Sequence, residues 1–391
     1  MSNFFSEDFG TKKQHTVIEN KPVAESAAIL SSDVSAEIKA KGDAFADEIR
    51  DTFITNLEKE SDRMAHVSTF MVIDGIVYSS YYANTETQYE DPTKQTARLT
   101  YFPLDNVENK THLDMQTVGD TCLGREVELV YDTVLMRKDE DTLVILWTAK
   151  VAGNYYRLFR TFKISTKELG EAQVNRFKVG EITNDFSTTG IQDALAENGL
   201  AYKTMYSDIG IMQKISTRVE DGKTWYYSGA YSGDFTCIIK TLDFETWEYV
   251  SEPDFANESQ WENATYVIGD KVFYFVRQHV ESKYGYLTAY DLINKKWEKP
   301  VLIEDCQSRG DFIVYEGDLY LIHAPIDREH LGIVKVDTKD ISRSEIVLQA
   351  KMHTSCFYPF MQYFEDGELG LSYTVNREHV KLARFTLKKY L

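Results

Sequence analysis

Proline is scarce in this chain, with seven in 391 residues. Few positions therefore lack the N–H that a strand ladder needs. Cysteine is rarer still. Cys122, Cys237, Cys306 and Cys356 lie far apart and form no CxxC or Cys/His ligand spacing. Structural zinc and a redox dithiol are not expected from that pattern, and the four read as buried free thiols in a reducing compartment. Positive charge is also short: 43 Lys and Arg face 62 Asp and Glu, for a net charge of -19. Bulk charge therefore argues against nucleic acid or an anionic membrane as a partner. No apolar run reaches the roughly 18 residues that cross a bilayer, so no membrane insertion is expected. The first residues show neither a basic n-region nor an apolar h-region. A cytoplasmic location is the expectation, with a virion-associated one as the alternative.

Several chemistries lack their motif. There is no Gly-rich phosphate loop, no HExxH and no GxSxG. Asp132 and the run Asp139-Glu140-Asp141 lack the Gly and closing Glu of a calcium loop. They read as a solvated turn cluster. No metal and no cofactor are expected.

What is abundant is apolar and aromatic surface. Hydrophobic residues make up 43% and aromatics 13%, which excludes a disordered chain. The 25 Tyr and 21 Phe point to strands. Aromatics also build sugar-binding surfaces, and composition does not separate the two uses.

Residues 1–32 are polar and aperiodic and read as a flexible or extended arm. Residues 33–63 read as an amphipathic helix. Asp33 is the expected cap, and Val34, Ile38, Phe45, Ile49, Phe53 and Leu57 form one apolar face. Gly42 weakens such a helix by about 1 kcal/mol relative to Ala. Two uses stay open for residues 1–60: docking on the chain's own domain, or a homo-oligomer or assembly contact.

From residue 64 the period becomes two. One unit recurs six times, at 66–83, 131–149, 207–227, 262–277, 308–323 and 358–374. Each copy is a strand, a turn rich in Asp, Glu and Gly, and an aromatic second strand. Asp74-Gly75, Gly269-Asp270 and Glu316-Gly317 supply the φ > 0 positions of tight hairpins. The last three copies recur roughly every 48 residues, about the length of a four-stranded blade. The expected fold is an all-β, six-bladed β-propeller over 64–391, preceded by the arm and one amphipathic helix. Closure removes exposed sheet edges. A β-sandwich competes but gives no reason for six copies of one hairpin.

The stretches Thr241-Leu-Asp-Phe-Glu-Thr-Trp247 and Asp291-Leu-Ile-Asn-Lys-Lys-Trp297 resemble degenerate Asp-boxes of the sialidase superfamily, the BNR-repeat propellers. Gln307-Ser-Arg309, Ser355-Cys-Phe-Tyr-Pro359, Tyr373-Thr-Val-Asn-Arg377 and Leu382-Ala-Arg-Phe385 are similar to the C-terminal third of such proteins. The resemblance covers about 64–391. It implies a site at the mouth of the central channel and an acidic-sugar ligand. In that family three arginines grip the substrate carboxylate, the first from an Arg-Ile-Pro motif, and a tyrosine activated by a glutamate is the nucleophile. This chain has no Arg-Ile-Pro motif, which counts against activity on sialic acid itself.

The first residues of the inner strands should project toward the mouth. Catalytic candidates there are Glu262, Asp311, Tyr358 and His66. Substrate-binding candidates are Arg309, Arg125, Arg377, Gln307, Asp208 and Asn376. Glu262 follows Trp261, and an indole beside a carboxyl raises its pKa, as a general acid needs. Arg309 suits bidentate grip of a carboxylate, or an ion pair with Asp311 two residues on. Tyr358 precedes Pro359, which favours extended backbone at the tyrosine. His66 reads as a general base or a satisfied core imidazole. Two functions stand side by side. One is a glycoside hydrolase or lyase acting on a carbohydrate. The other is a non-catalytic glycan- or receptor-binding propeller of a larger assembly such as a phage particle.

Overall fold

The computed structural model describes residues 25–200, 209–232, 235–253, 262–277 and 284–391. Within them, six sheets follow one another along the chain. Each starts from one of the repeated hairpins. In the first, Met64–Ile73 pairs with Ile76–Asn84 through the Asp74-Gly75 turn, where φ is 51° and 71°. Thr96–Pro103 and Thr111–Thr117 extend the sheet. The second blade builds from Arg125–Arg137 and Thr142–Val151, and the third from Ser216–Glu220 and Lys223–Ser232. The fourth builds from Asn263–Ile268 and Lys271–Val276, the fifth from Asp311–Tyr315 and Asp318–His323, and the sixth from Phe357–Tyr363 and Leu369–Val375. First strands of neighbouring sheets touch, as Met64–Ile73 does with both Phe357–Tyr363 and Arg125–Arg137. The sheets are thus the blades of an all-β propeller, with the hairpins innermost.

The apolar core is divided among the junctions between blades, because each blade buries its faces against its neighbours. Leu99, Leu135, Trp147 and Leu158 fill the junction of the first and second blades. Phe275, Leu287, Phe312 and Leu321 fill that of the fourth and fifth. Outer-strand turns are closed by side chains. Asp243 Oδ1 accepts from the N–H of Glu245 and of Thr246 at 2.8 Å each, and Asp291 Oδ1 accepts from Ile293 and Asn294. All four cysteines are buried and free.

The N-terminal region differs from the expectation. Most of the arm, residues 1–24, lies outside the described residues. Ala28–Leu30 is a strand, added in parallel to Val301–Ile303 at the outer edge of the fourth blade. The helix, α1, spans Ala36–Asp51 rather than 33–63. Ser35, not Asp33, caps it by accepting from the Ile38 N–H at 3.3 Å. Phe45, Ala46 and Ile49 bury its face against the fifth and sixth blades. Phe53–Asn56 is a strand, antiparallel to His379–Phe385, and is the outermost strand of the sixth blade. Phe53 and Leu57 fit a helical stripe as well as strand alternation, and pairing with the last blade decides between them. A second helix, α2, Thr188–Glu197, was not expected. Ser187 caps it, and Ile191, Ala194 and Leu195 bury it between the second and third blades. No helix among the described residues is long and apolar enough to cross a membrane.

Candidate functional site

Three inner strands are bulged at the same place. Pairing slips between His66 and Thr69, between Tyr131 and Val134, and between Phe357 and Phe360. The extra residue in each has left-handed backbone: Val67 at φ 52°, Asp132 at 55° and Tyr358 at 51°. A bulge re-aims side chains, and non-glycine residues in this region cost of order 1–2 kcal/mol each. Tyr358 is therefore not extended despite Pro359. The bulge overrides the local preference, and the Ser308 hydroxyl accepts from its N–H at 3.0 Å.

Charged groups from several blades converge at these bulges. Glu262 Oε1 lies 2.7 Å from Arg309 Nη2, and Glu262 Oε2 pairs with Arg277 Nη1. Arg277 Nη1 also donates to the Tyr358 hydroxyl at 3.3 Å. Arg309 Nη2 lies 2.8 Å from Asp132 Oδ1 and donates to the Tyr231 hydroxyl at 3.3 Å. The Arg309 guanidinium stands 4.9 Å from the Tyr358 ring centre, a cation–π contact. Arg157 supports Asp132 from behind, donating to its carbonyl at 2.6 Å.

A second group surrounds Phe357. The Arg328 and Arg377 guanidinium groups lie 4.9 and 5.7 Å from its ring centre. Arg328 donates to the Gln307 carbonyl at 3.2 Å. Arg377 Nε is 3.5 Å from Glu90 Oε2, and Glu90 Oε1 accepts from the Tyr82 hydroxyl at 2.7 Å. His66 is fully buried edge-on to Tyr358, with ring centres 4.7 Å apart, and its Nδ1 lies 3.0 Å from Thr374 Oγ1.

These neighbours set the protonation states. Burial pushes the Glu262 carboxyl up, but Arg309 and Arg277 outweigh it and leave it below the ordinary value. A general acid needs the reverse, so the expectation drawn from Trp261, which lies outside the described residues, does not hold. Burial raises the Glu90 carboxyl, against Arg377 and Tyr82. Burial and then Glu262 push the Tyr358 phenol up to about 12, opposed by Arg277, Arg309 and Arg328. Burial and then Arg377, Arg328, Arg309 and Arg277 hold His66 well below its usual value, so it is a neutral imidazole. Burial and then Arg277 lower Arg328 to about 10, so it stays charged at neutral pH.

The structure thus brings together His66, Glu262, Arg309, Tyr358 and Arg377, with Gln307 at the edge through its carbonyl. Asn376 is exposed beside them and is tied to the Ser355 hydroxyl at 2.9 Å. Asp311 is separate. It pairs with Lys214 at 3.3 Å, not with Arg309. Arg125 is exposed, seven positions before Asp132 on its strand, which is of order 20 Å away along extended backbone. Asp208 lies outside the described residues. Asp132 is buried and ion-paired rather than solvated. Arg277, Arg328, Glu90, Tyr82 and Tyr231 were missed. Among the described residues no cluster of three or more His, Cys, Asp or Glu is arranged to hold a metal.

The propeller is sialidase-like in fold by comparison with solved structures. The sialidase NanB of Streptococcus pneumoniae superposes with a TM-score of 0.54 at 10% identity, over 87% of this chain and 71% of that one. The Hadza microbial sialidase Hz136 gives 0.60 at 9% identity, over 87% and 69%. A protein of unknown function from Dyadobacter fermentans gives 0.52 at 9% identity, over 84% and 96%. No family model and no curated protein matches the sequence.

Proposed function

We propose that the chain is a carbohydrate-active enzyme, a glycoside hydrolase taking an acidic sugar at the channel mouth. The observation that carries this is Arg277, whose Nη1 reaches both Glu262 Oε2 and the Tyr358 hydroxyl. It joins a phenol to an ionised carboxylate. Tyr358 is neutral at rest, so it needs a base to become a nucleophile, and Glu262 is the ionised carboxylate at hand. In the proposed step Glu262 takes the phenol proton while the phenol oxygen bonds to the anomeric carbon. The glycosidic bond breaks, and its oxygen leaves with a proton taken from water. The hydroxide so formed attacks the anomeric carbon, and Glu262 returns its proton to the phenol oxygen as the sugar is released. Arg328 and Arg377, both close to the Phe357 ring, supply the charge for the sugar's carboxylate.

The binding-module alternative draws on a different observation. Arg309 already ion-pairs with both Glu262 and Asp132. One experiment separates the two. Wild type and Tyr358→Phe are assayed on 4-methylumbelliferyl glycosides of uronic and nonulosonic acids. Release of the fluorophore by wild type, falling at least about 10³-fold in Tyr358→Phe, is the expected result. Calorimetric binding of the same sugars with no turnover would favour the binding module.

A further inference from the structure

Arg309 is buried, as Arg157 and Arg277 are, while Arg328 and Arg377 are only partly so. It is 1% exposed, and its guanidinium is closed in by Glu262, Asp132, Tyr231 and Gln213, with the Tyr358 ring against it. A ligand carboxylate entering the mouth meets Arg328 and Arg377, which are only partly buried. We propose that Arg309 is a positioning residue: it locks carboxylates of the second and fourth blades to the ring of Tyr358 in the sixth, and does not itself touch the sugar. This rests on the reading of Tyr358 and Glu262 as the reacting pair.

Among the described residues, Arg309 is the cation that pairs with both Glu262 and Asp132. Without it Glu262 keeps its pair with Arg277 and Asp132 its pair with Arg157. The two carboxylates then repel with less positive charge beside them, and Glu262 binds a proton more readily. Glu262 would be the poorer base, and the Tyr358 ring would lose the cation on its face. Arg309 thereby governs the pH at which the mouth becomes competent, without contributing to affinity for the substrate.

The test uses the full chain with Arg309→Met and Arg309→Lys. The Glu262 carboxyl is followed by ¹³C NMR on glutamate-labelled protein, its signal assigned by absence in Glu262→Gln. The expected result is a titration midpoint raised by about one pH unit or more in Arg309→Met. Arg309→Lys, which keeps the charge, should fall between it and wild type. On the best substrate the acid limb of the rate profile should move by the same amount, with KM changed less than about threefold. An unmoved carboxyl titration in both variants overturns the proposal. So does a KM raised about tenfold or more with the acid limb unchanged, which is what a substrate clamp would give. If Arg309→Met does not fold, Arg309→Lys carries the test. If wild type turns over no sugar, the reading of function fails, while the carboxyl titration still decides the role of Arg309.

Discussion

Lys214 Nζ lies 3.3 Å from Asp311 Oδ2, an ion pair joining the third and fifth blades with almost no solvent contact. The sixth blade completes the arrangement. Asp311 Oδ2 accepts from the Met361 N–H at 2.9 Å, Lys214 donates to the Met361 carbonyl, and its ammonium lies 4.3 Å from the Phe360 ring centre. One point therefore ties together three blades of the ring.

Replacing Lys214 by Met should cost about 3–5 kcal/mol at pH 7.5, because a buried carboxylate is left without its cation. The cost should be pH-dependent. Burial raises the Asp311 carboxyl to about 6, with Lys214 opposing. A carboxyl raised on folding takes up a proton between its unfolded value and 6, so its contribution to stability falls as pH rises through that window. Without Lys214 the carboxyl rises further and is neutral at pH 5.5. Urea midpoints should therefore show a smaller loss at pH 5.5 than at 7.5. Equal losses would contradict the account.

Gly42 should not tolerate alanine. In a free helix the change gains about 1 kcal/mol. Here a Cβ would sit 1.9 Å from the Gln349 carbonyl oxygen and 2.7 Å from the Ala350 Cα, both backbone atoms. The helix must move off the fifth blade, at a cost of about 1–3 kcal/mol. Thermal unfolding of Gly42→Ala should show a lower Tm; a rise would mean that α1 does not dock this closely.

His379 should stabilise the protein only when protonated. Its Nδ1 is 2.8 Å from Glu58 Oε1, and that hydrogen bond raises its pKa. A histidine raised on folding contributes fully below its unfolded value of about 6.5, and the contribution is lost as pH rises through the folded value. The Tm gap between wild type and His379→Gln should be widest near pH 5.5 and shrink as pH rises above the ordinary histidine value of about 6.5. A gap independent of pH would exclude a charge effect.

The six hairpins were legible because their signals are local. Asp74-Gly75 and Glu316-Gly317 sit between period-two runs, and turn chemistry needs no distant partner. The mouth was only half legible. Glu262, Tyr358 and Arg309 stand at the starts of inner strands, where the repeat itself aligns them. Their partners come from elsewhere in the repeat: Arg277 from the end of a second strand, Arg328 and Glu90 from loops, Asp132 from a bulge. A bulge is a mismatch between two strands and leaves no mark in either one. The acidity of Glu262 was misjudged for the same reason, since its two guanidinium partners lie 15 and 47 positions away.

The closing strand Phe53–Asn56 pairs Thr55 with Leu382. A ribosome makes Leu382 long after Thr55. At about 5–20 residues per second, some 15–65 s of synthesis separate the two. Until then the ring is an arc, and the residues that will seal it have no ladder to join. The hydrophobic face of α1 waits with them, since the fifth and sixth blades that cover it are also made late. The nascent chain therefore carries an unpaired edge and an uncovered apolar helix through that interval. Its burden on cellular chaperones should be set by this delay more than by the stability of the finished ring.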